Sequence, residues 1–382
     1  MNPLNKIFII YANSGAGHRR AAEALNTKAK DYFPQADIRL FDALDYTSPL
    51  FKRTYPMIYL FLVNHCPWLW GVFYYFLDNR YIDKFARIFR RNTNSFYGKA
   101  FINFLLDEKP DLILTTHFLP NELVSFLKKR YRFQTILITC ITDYYPHAWW
   151  RDSGVDLYIA PSRDLKPRLI QLGISEERII VIGIPIHPVF GEKNDKVLTR
   201  QKLGISTNPF TILITSGGFG VGPIKKLVNS LKHVMTPLQI LVICGNNPKL
   251  QNELTELTNK TIHNIHIYGF IQNMHEFMAA SDIMLSKSGG LTSTEAMAIG
   301  LPLITLKPIP GQESGNCEFI LKNKAGIRIK TVREARKVLE KLLNNQDSLN
   351  SMRENMSKIG RPHAVNEILA YIKEYSEKGI SK

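Results

Sequence analysis

Metal-binding and disulfide patterns are missing from this sequence. Its 382 residues hold four cysteines, Cys66, Cys140, Cys244 and Cys317. No two of them form a CxxC pair, which argues against a zinc ribbon or a dithiol redox centre, and a chain this long builds a core without disulfides. Buried free thiols in a reducing cytoplasm are the expectation. No histidine or cysteine spacing suggests zinc. No Asp-x-Asp triplet occurs, so a metal-bridged sugar nucleotide is not indicated and no metal or cofactor is expected. Acidic residues are scarce beside basic ones, 33 against 49, for a formal net charge of +16. That imbalance favours anionic partners: nucleic acid, nucleotide phosphates or an anionic membrane surface. No recognised nucleic-acid module accompanies it, so nucleic acid is set aside. Only a short apolar run, itself a good strand, follows Lys6, so a secretory leader is not expected.

Charge also disappears locally. From Thr54 to Leu77 the sequence TYPMIYLFLVNHCPWLWGVFYYFL has no Asp, Glu, Lys or Arg. The run is long enough to cross a bilayer. However, Pro56, Asn64, His65, Pro67 and Gly71 interrupt it, and its aromatics are spread throughout, which disfavours a spanning helix. The next stretch, YIDKFARIFRR, read as a helix, puts Ile82, Phe85 and Phe89 on one side. Lys84, Arg87 and Arg91 fall on another, with Arg90 nearby. An apolar, aromatic surface that includes Trp68 and Trp70, beside a basic one, is how a protein lies on an anionic membrane. The plainer alternative is a partly buried helix with a solvated basic face.

What remains alternates strand and helix. Ile7–Ala12, Ile38–Leu44, Pro110–His117, Thr135–Thr142, Asp156–Ser162 and Arg178–Pro185 read as strands with helix-like segments between. The cycle restarts at Phe210 with FTILITSGG, then LQILVICG, IHIYGF, DIMLSKS and LPLITL. Short β-rich runs separated by helices predict parallel sheets covered on both faces. Two sets predict an α/β protein of two Rossmann-like domains. The expected layout is a first domain over 1–186 with a membrane-associating segment near 49–91, and a linker over 187–205. A second domain over 206–360 and a C-terminal helix over 361–382, crossing back to the first domain, complete it.

Five stretches carry chemistry. The opening turn NSGAGHRRAA lacks the Lys-Ser/Thr of a Walker loop, and Arg20 occupies the third glycine position of a dinucleotide fingerprint. Gly15 and Gly17 precede His18, which falls near a helix start. A helix N-terminus disfavours positive charge, so a neutral imidazole is expected there, competent as a general base. A histidine that only caps or packs at the turn is the alternative. Asp42 ends the second strand where a ribose-binding acid sits in dinucleotide folds.

The second stretch, TSGGFGVGP, puts Gly217, Gly218, Phe219 and Gly220 after a strand, with N–H groups to bind a pyrophosphate; a plain turn is the alternative. The third, SKSGGLTSTEA, runs Ser288, Gly289, Gly290, Leu291 and Thr292 into a helix containing Glu295. Thr292 to Glu295 fits a capping box. Equally, the Glu295 carboxylate fits both hydroxyls of a ribose diol. The fourth, PIPGQESGN, crowds Gln312, Glu313 and Asn316 into a polar loop suited to sugar hydroxyls, or simply to solvent. The fifth, ITDYYPHAWW, sets Asp143 and His147 among aromatics that include Trp150, as an acceptor-binding lip, a second acid–base pair or a structural cluster.

These motifs, in this order, resemble glycosyltransferase family 28, a GT-B family, and its monogalactosyldiacylglycerol synthase and processive diacylglycerol glucosyltransferase branch. The resemblance rests on Gly15-Ala-Gly17-His18 with Ala21-Ala22, Thr142-Asp143 with His147 and Trp150, and Gly183-Ile184-Pro185. In the second half it rests on Ser216-Gly217-Gly218, Ser288 to Thr292, Glu295-Ala296, Gly300-Leu301-Pro302, and Pro310 to Glu313 with Asn316. It covers nearly the whole chain, and is less specific for the acceptor than for the family. It implies two domains facing across a cleft, with UDP-sugar on the C-terminal one. Gly217–Gly220 would meet the pyrophosphate, Glu295 the ribose, and Phe270 and Ile271 the uracil. Gln312, Glu313 and Asn316 would face the pyrophosphate and hexose. His18 would be the catalytic base for inverting transfer, supported by Asp143.

The branch further implies that the segment after the first βαβ unit binds lipid. Diacylglycerol is therefore the expected acceptor, and the expected place is peripheral on the inner face of the cell membrane. An undecaprenyl-linked peptidoglycan precursor as acceptor, and a UDP-sugar 2-epimerase, are the competing expectations.

Overall fold

The structure is a computed structural model. It describes residues 4–13, 15–79, 81–83, 86, 90, 93, 97–215, 217, 222–256 and 261–378, with only the backbone at 60 and 64. The chain divides into two compact units. The first comprises residues 1–188, Ile309–Gln312 and 363–382; the second comprises 189–308 and 313–362.

In the first unit, six strands form one parallel sheet: β1 (Lys6–Tyr11), β2 (Asp37–Asp42), β3 (Leu112–Thr115), β4 (Ile136–Cys140), β5 (Leu157–Ala160) and β6 (Ile179–Val181). Their order is β2-β1-β3-β4-β5-β6. All four residues of β3, LILT, are buried, as a strand covered on both faces requires. Helix α1 (Ala16–Tyr32) buries Ala21, Ala22, Ala24, Leu25 and Ala29. The helix Ala364–Lys378 packs against α1, adding Val365, Ile368, Leu369 and Ile372 to the same core.

The charge-free run folds as two helices, α2 (Pro49–His65) and α3 (Pro67–Leu77). Ser48 caps α2 by accepting from the Phe51 N–H, with Pro49 at the first helical position. Pro67 cannot continue α2 and instead starts α3. Among the described residues no helix is long and apolar enough to cross a membrane. The foot of α3 is fastened by buried Asp78, which accepts from Arg168 at 2.7 Å, the Tyr145 hydroxyl at 2.7 Å and the Ala148 N–H at 2.9 Å.

Trp70 and Tyr74 face inward with Val63, Tyr59 and Trp149. The outer face carries Leu50, Met57, Ile58, Phe61, Trp68, Val72, Phe73 and Phe76, eight large apolar side chains, all exposed. Trp68 is thus 69% exposed, whereas Trp70 is buried and has no membrane-facing surface, because its indole fills the space under α2. Lys84, Arg87 and Arg91 lie outside the described residues. Arg90 points inward, paired with buried Glu122 and Asp83.

The second unit repeats the plan with β7 (Thr211–Thr215), β8 (Gln239–Ile243), β9 (Asn264–Tyr268), β10 (Ile283–Ser286), β11 (Leu303–Thr305) and β12 (Gly326–Arg328). The order is β12-β11-β10-β7-β8-β9, all parallel. The stretch expected to be a linker contains the helix Lys196–Lys202. Its Arg200 is buried and bonds Asp282 at 2.9 Å and the Ala280 carbonyl at 2.8 Å.

Candidate functional site

Parallel sheets open a crevice where neighbouring strands send their connections to opposite faces, at the carboxyl ends of those strands. In the first unit that point lies between β1 and β3, and in the second between β7 and β10. The sequence motifs fall on these ends.

After β1, the chain turns through Gly15 into α1, so that His18 sits in the first helical turn. Gly15 is extended, φ −176°, and a Cβ there would meet nothing within 4 Å. The glycine therefore leaves open space and is not demanded by backbone strain. His18 Nδ1 lies 2.7 Å from the Thr116 carbonyl oxygen and 3.0 Å from the Thr142 hydroxyl. A carbonyl only accepts, so Nδ1 carries the proton and Nε2 presents a bare lone pair. The Thr116 hydroxyl donates to the His18 carbonyl at 2.8 Å, which closes the lock from both sides.

The His18 ring keeps part of its surface open but is densely surrounded by protein. Burial pushes its pKa down, while the Asp143 carboxylate and the Thr116 carbonyl oppose that shift. The helix N-terminus acts in the same direction as burial. Asp143 thus reaches His18 through its charge, while Thr116 and Thr142 orient the ring.

His117 was not singled out from the sequence. It lies two residues past the end of β3, and β3 lies beside β1, so its ring meets His18 edge-on at 4.6 Å between centroids. Its Nδ1 accepts from the Leu119 N–H at 3.0 Å, capping the helix Phe118–Tyr131. Burial, first, pushes its pKa far below the usual histidine range, and a proton on His18 would push it further. Its sequence signal is a histidine at the carboxyl end of the apolar run LILTT.

Trp150 is buried 6.3 Å from His18. His147 is a different case from the acceptor contact expected of it. Its Nε2 donates to the Tyr74 carbonyl at 2.8 Å and its Nδ1 accepts from the Trp149 N–H at 3.1 Å. Nε2 therefore fastens α3 to the loop after β4 while Nδ1 caps the turn Ala148–Trp150, and burial pushes the His147 pKa down to about 4. Asp42 likewise accepts from the backbone N–H groups of Leu44 and Asn13, at 2.9 and 3.2 Å. That commits it to shaping the turn after β1.

In the second unit, Gly217 follows β7 with φ +75°, a left-handed conformation that favours glycine, and faces open space. Gly218, Phe219 and Gly220 lie outside the described residues. After β10, buried Ser288 donates to the Glu313 carbonyl at 2.8 Å, joining the β10 loop to the helix Gln312–Lys322. Gly289 faces open space and precedes a helix spanning Gly290–Ile299.

That helix begins earlier than a capping box requires. Gly289 is the N-cap, with no side-chain cap hydrogen bond. Thr292 is therefore inside the first turn and Glu295 in the second, too far along for Glu295 to fold back onto the helix start. Leu291 is buried and Thr292 half-buried; Glu295 in the same helix and Asn316 in the helix Gln312–Lys322 are buried. Phe270 stands 52% exposed after β9, with Ile271 half-buried behind it. Among the described residues, no three His, Cys, Asp or Glu side chains converge to hold a metal.

Residues 18–186 match the monogalactosyldiacylglycerol synthase family, and residues 211–368 match the glycosyltransferase family 28 C-terminal domain. A processive diacylglycerol beta-glucosyltransferase of Bacillus cereus is 31% identical over 378 residues, covering 96% of this chain and 93% of that protein. Among solved structures, MurG of Acinetobacter baumannii superposes with a TM-score of 0.64 at 13% identity, covering 97% of this chain and all of that one. MnaA of Staphylococcus aureus, solved with UDP, gives 0.62 at 14%, covering 99% of each chain. The fold is GT-B, two Rossmann-like units.

Proposed function

The chain belongs to the monogalactosyldiacylglycerol synthase branch of glycosyltransferase family 28, and on that premise we propose that it is an inverting hexosyltransferase. Its donor is a UDP-hexose, its acceptor is diacylglycerol at a membrane surface, and its product is a β-glycosyl glycolipid. The observation that carries the catalytic reading is the neutral His18, whose Nδ1–H is held by Thr116 and whose Nε2 is left as the acceptor.

The chemistry follows from that tautomer. His18 Nε2 takes the proton of the acceptor hydroxyl as its oxygen attacks the anomeric carbon from the face opposite UDP. The bond to the UDP oxygen breaks, and an α-linked donor yields a β-glycoside. The Asp143 charge stabilises the imidazolium that forms. Departing UDP is stabilised by backbone N–H groups of the loop after β7 and the helix start at Gly290. Glu295, in the second turn of that helix, is assigned to the ribose diol. Phe270 and Ile271 are assigned to the uracil, and Gln312, Glu313 and Asn316 to the pyrophosphate and hexose.

The outer face of α2 and α3 supports the lipid acceptor. Soluble proteins rarely leave so large an apolar patch in water, and each buried side chain of this size would contribute about 1.5–3 kcal/mol. With the excess of basic residues, this fits seating on an anionic membrane surface, peripheral on its cytoplasmic side. An epimerase would leave that face without a task.

The test is His18→Ala. Turnover should fall about 100-fold or more, as loss of a general base predicts, while calorimetry shows UDP affinity unchanged. Near-normal rates would remove His18 from the mechanism.

A further inference from the structure

Four residues from late in the sequence, Ile309–Gln312, cluster with the first unit, and they do so on α2 and α3. Ile309 packs in the small apolar cluster of Val63, Trp70 and Tyr74. A Cβ on Gly71 of α3 would lie 2.7 Å from the Pro310 Cβ, so helix and loop touch with no room for even a methyl group. Gly311 has φ +104°, and a Cβ there would sit 3.1 Å from the Tyr74 ring and 3.3 Å from Trp70 Nε1. Glycine is thus required by both backbone and space.

Two tyrosine hydroxyls finish the seat. Tyr75 of α3 accepts from the Gly311 N–H at 3.4 Å, and Tyr59 of α2 accepts from Gln312 Nε2 at 3.2 Å. Tyr59 is itself held edge-on by buried Trp70, 5.2 Å between centroids. The bond to Tyr59 fixes one end of the Gln312 amide and so sets the direction in which its other end points.

We propose that Tyr59 and Tyr75 are positioning residues for the donor: they hold Gly311 and Gln312 so that the Gln312 amide is pre-set for the UDP-hexose. The inference rests on the donor reading of Gln312. It assigns the inner edge of α2 and α3 to donor binding, while their outer face is assigned to lipid.

The experiment is a double-mutant cycle on the full chain, with steady-state kinetics over diacylglycerol vesicles using the UDP-hexose that supports turnover. Tyr59→Phe keeps the ring in place and removes only the hydroxyl. It should raise the donor KM about 3- to 10-fold, the range for losing one such hydrogen bond, with the diacylglycerol KM and vesicle co-sedimentation unchanged. Tyr59→Phe/Tyr75→Phe should raise it further.

In a Gln312→Ala background, Tyr59→Phe should add nothing. A Tyr59→Phe effect on the lipid KM alone, or one fully additive with Gln312→Ala, overturns the inference. If Gln312→Ala raises the donor KM and Tyr59→Phe is silent, the inference falls and the donor reading stands. If Gln312→Ala leaves the donor KM unchanged, the donor reading falls and the inference with it.

Discussion

His18 accepts a proton only while its imidazole is neutral. Burial lowers its pKa below the usual 6.5, so the neutral form persists to lower pH than for a solvated histidine. The acid limb of the kcat/KM profile reports this ionisation in the free enzyme and is expected below pH 6.5. Asp143 raises the same pKa by its charge. Asp143→Asn should therefore move the acid limb to still lower pH and reduce the plateau rate, because the base left behind is weaker. An unmoved limb would assign Asp143 a purely structural place.

The helix-start histidine and its expected neutrality were legible in the sequence from the glycine turn alone. His117 was not, because its meeting with His18 depends on β3 lying beside β1, a pairing between residues about a hundred positions apart. His147 read as site chemistry because it sits in an aromatic loop. Only the three-dimensional contacts show both its nitrogens fastening backbone groups.

At the scale of elements, α2 and α3 are assigned two tasks on two faces. The outer face should bind lipid through apolar area. Replacing Phe61, Trp68 and Phe76 with Gln should abolish co-sedimentation with anionic vesicles while leaving thermal stability unchanged or improved, since these side chains contribute little packing at 56%, 69% and 57% exposure. A large fall in Tm with vesicle binding retained would contradict the assignment.

The inner face should report to the donor loop. Gly71→Ala places a methyl group against Pro310 and should raise the donor KM without removing vesicle binding, measured by the same two assays. The sequence foretold an apolar surface here, since no charge interrupts Thr54–Leu77. It did not distinguish Trp68 from Trp70. They are two residues apart, nearly opposite on a helix, and the choice between lipid and core is made by what packs underneath.

At the scale of the whole molecule, alternation of apolar runs with helices was enough to read two parallel sheets. The strands proved shorter at their carboxyl ends than the apolar runs suggested. Pro110–His117, for example, contains the strand Leu112–Thr115, because Thr116, whose N–H still bonds the Ile10 carbonyl of β1, turns its own carbonyl to His18, and His117 caps a helix. The candidate residues Gly15, His18, His117, Gly217 and Ser288 follow the ends of β1, β3, β7 and β10, where each sheet's connections diverge.

What the molecule does with this arrangement is read most directly from its product. Purified full-length protein would be incubated with UDP-glucose, UDP-galactose or UDP-GlcNAc over vesicles containing diacylglycerol and an anionic lipid, and the lipid fraction analysed by mass and by anomeric configuration. We predict a β-linked glycosyl diacylglycerol formed from one of these donors, with release of UDP. A UDP-sugar converted to its epimer, or consumed with no sugar appearing on diacylglycerol, would contradict the account.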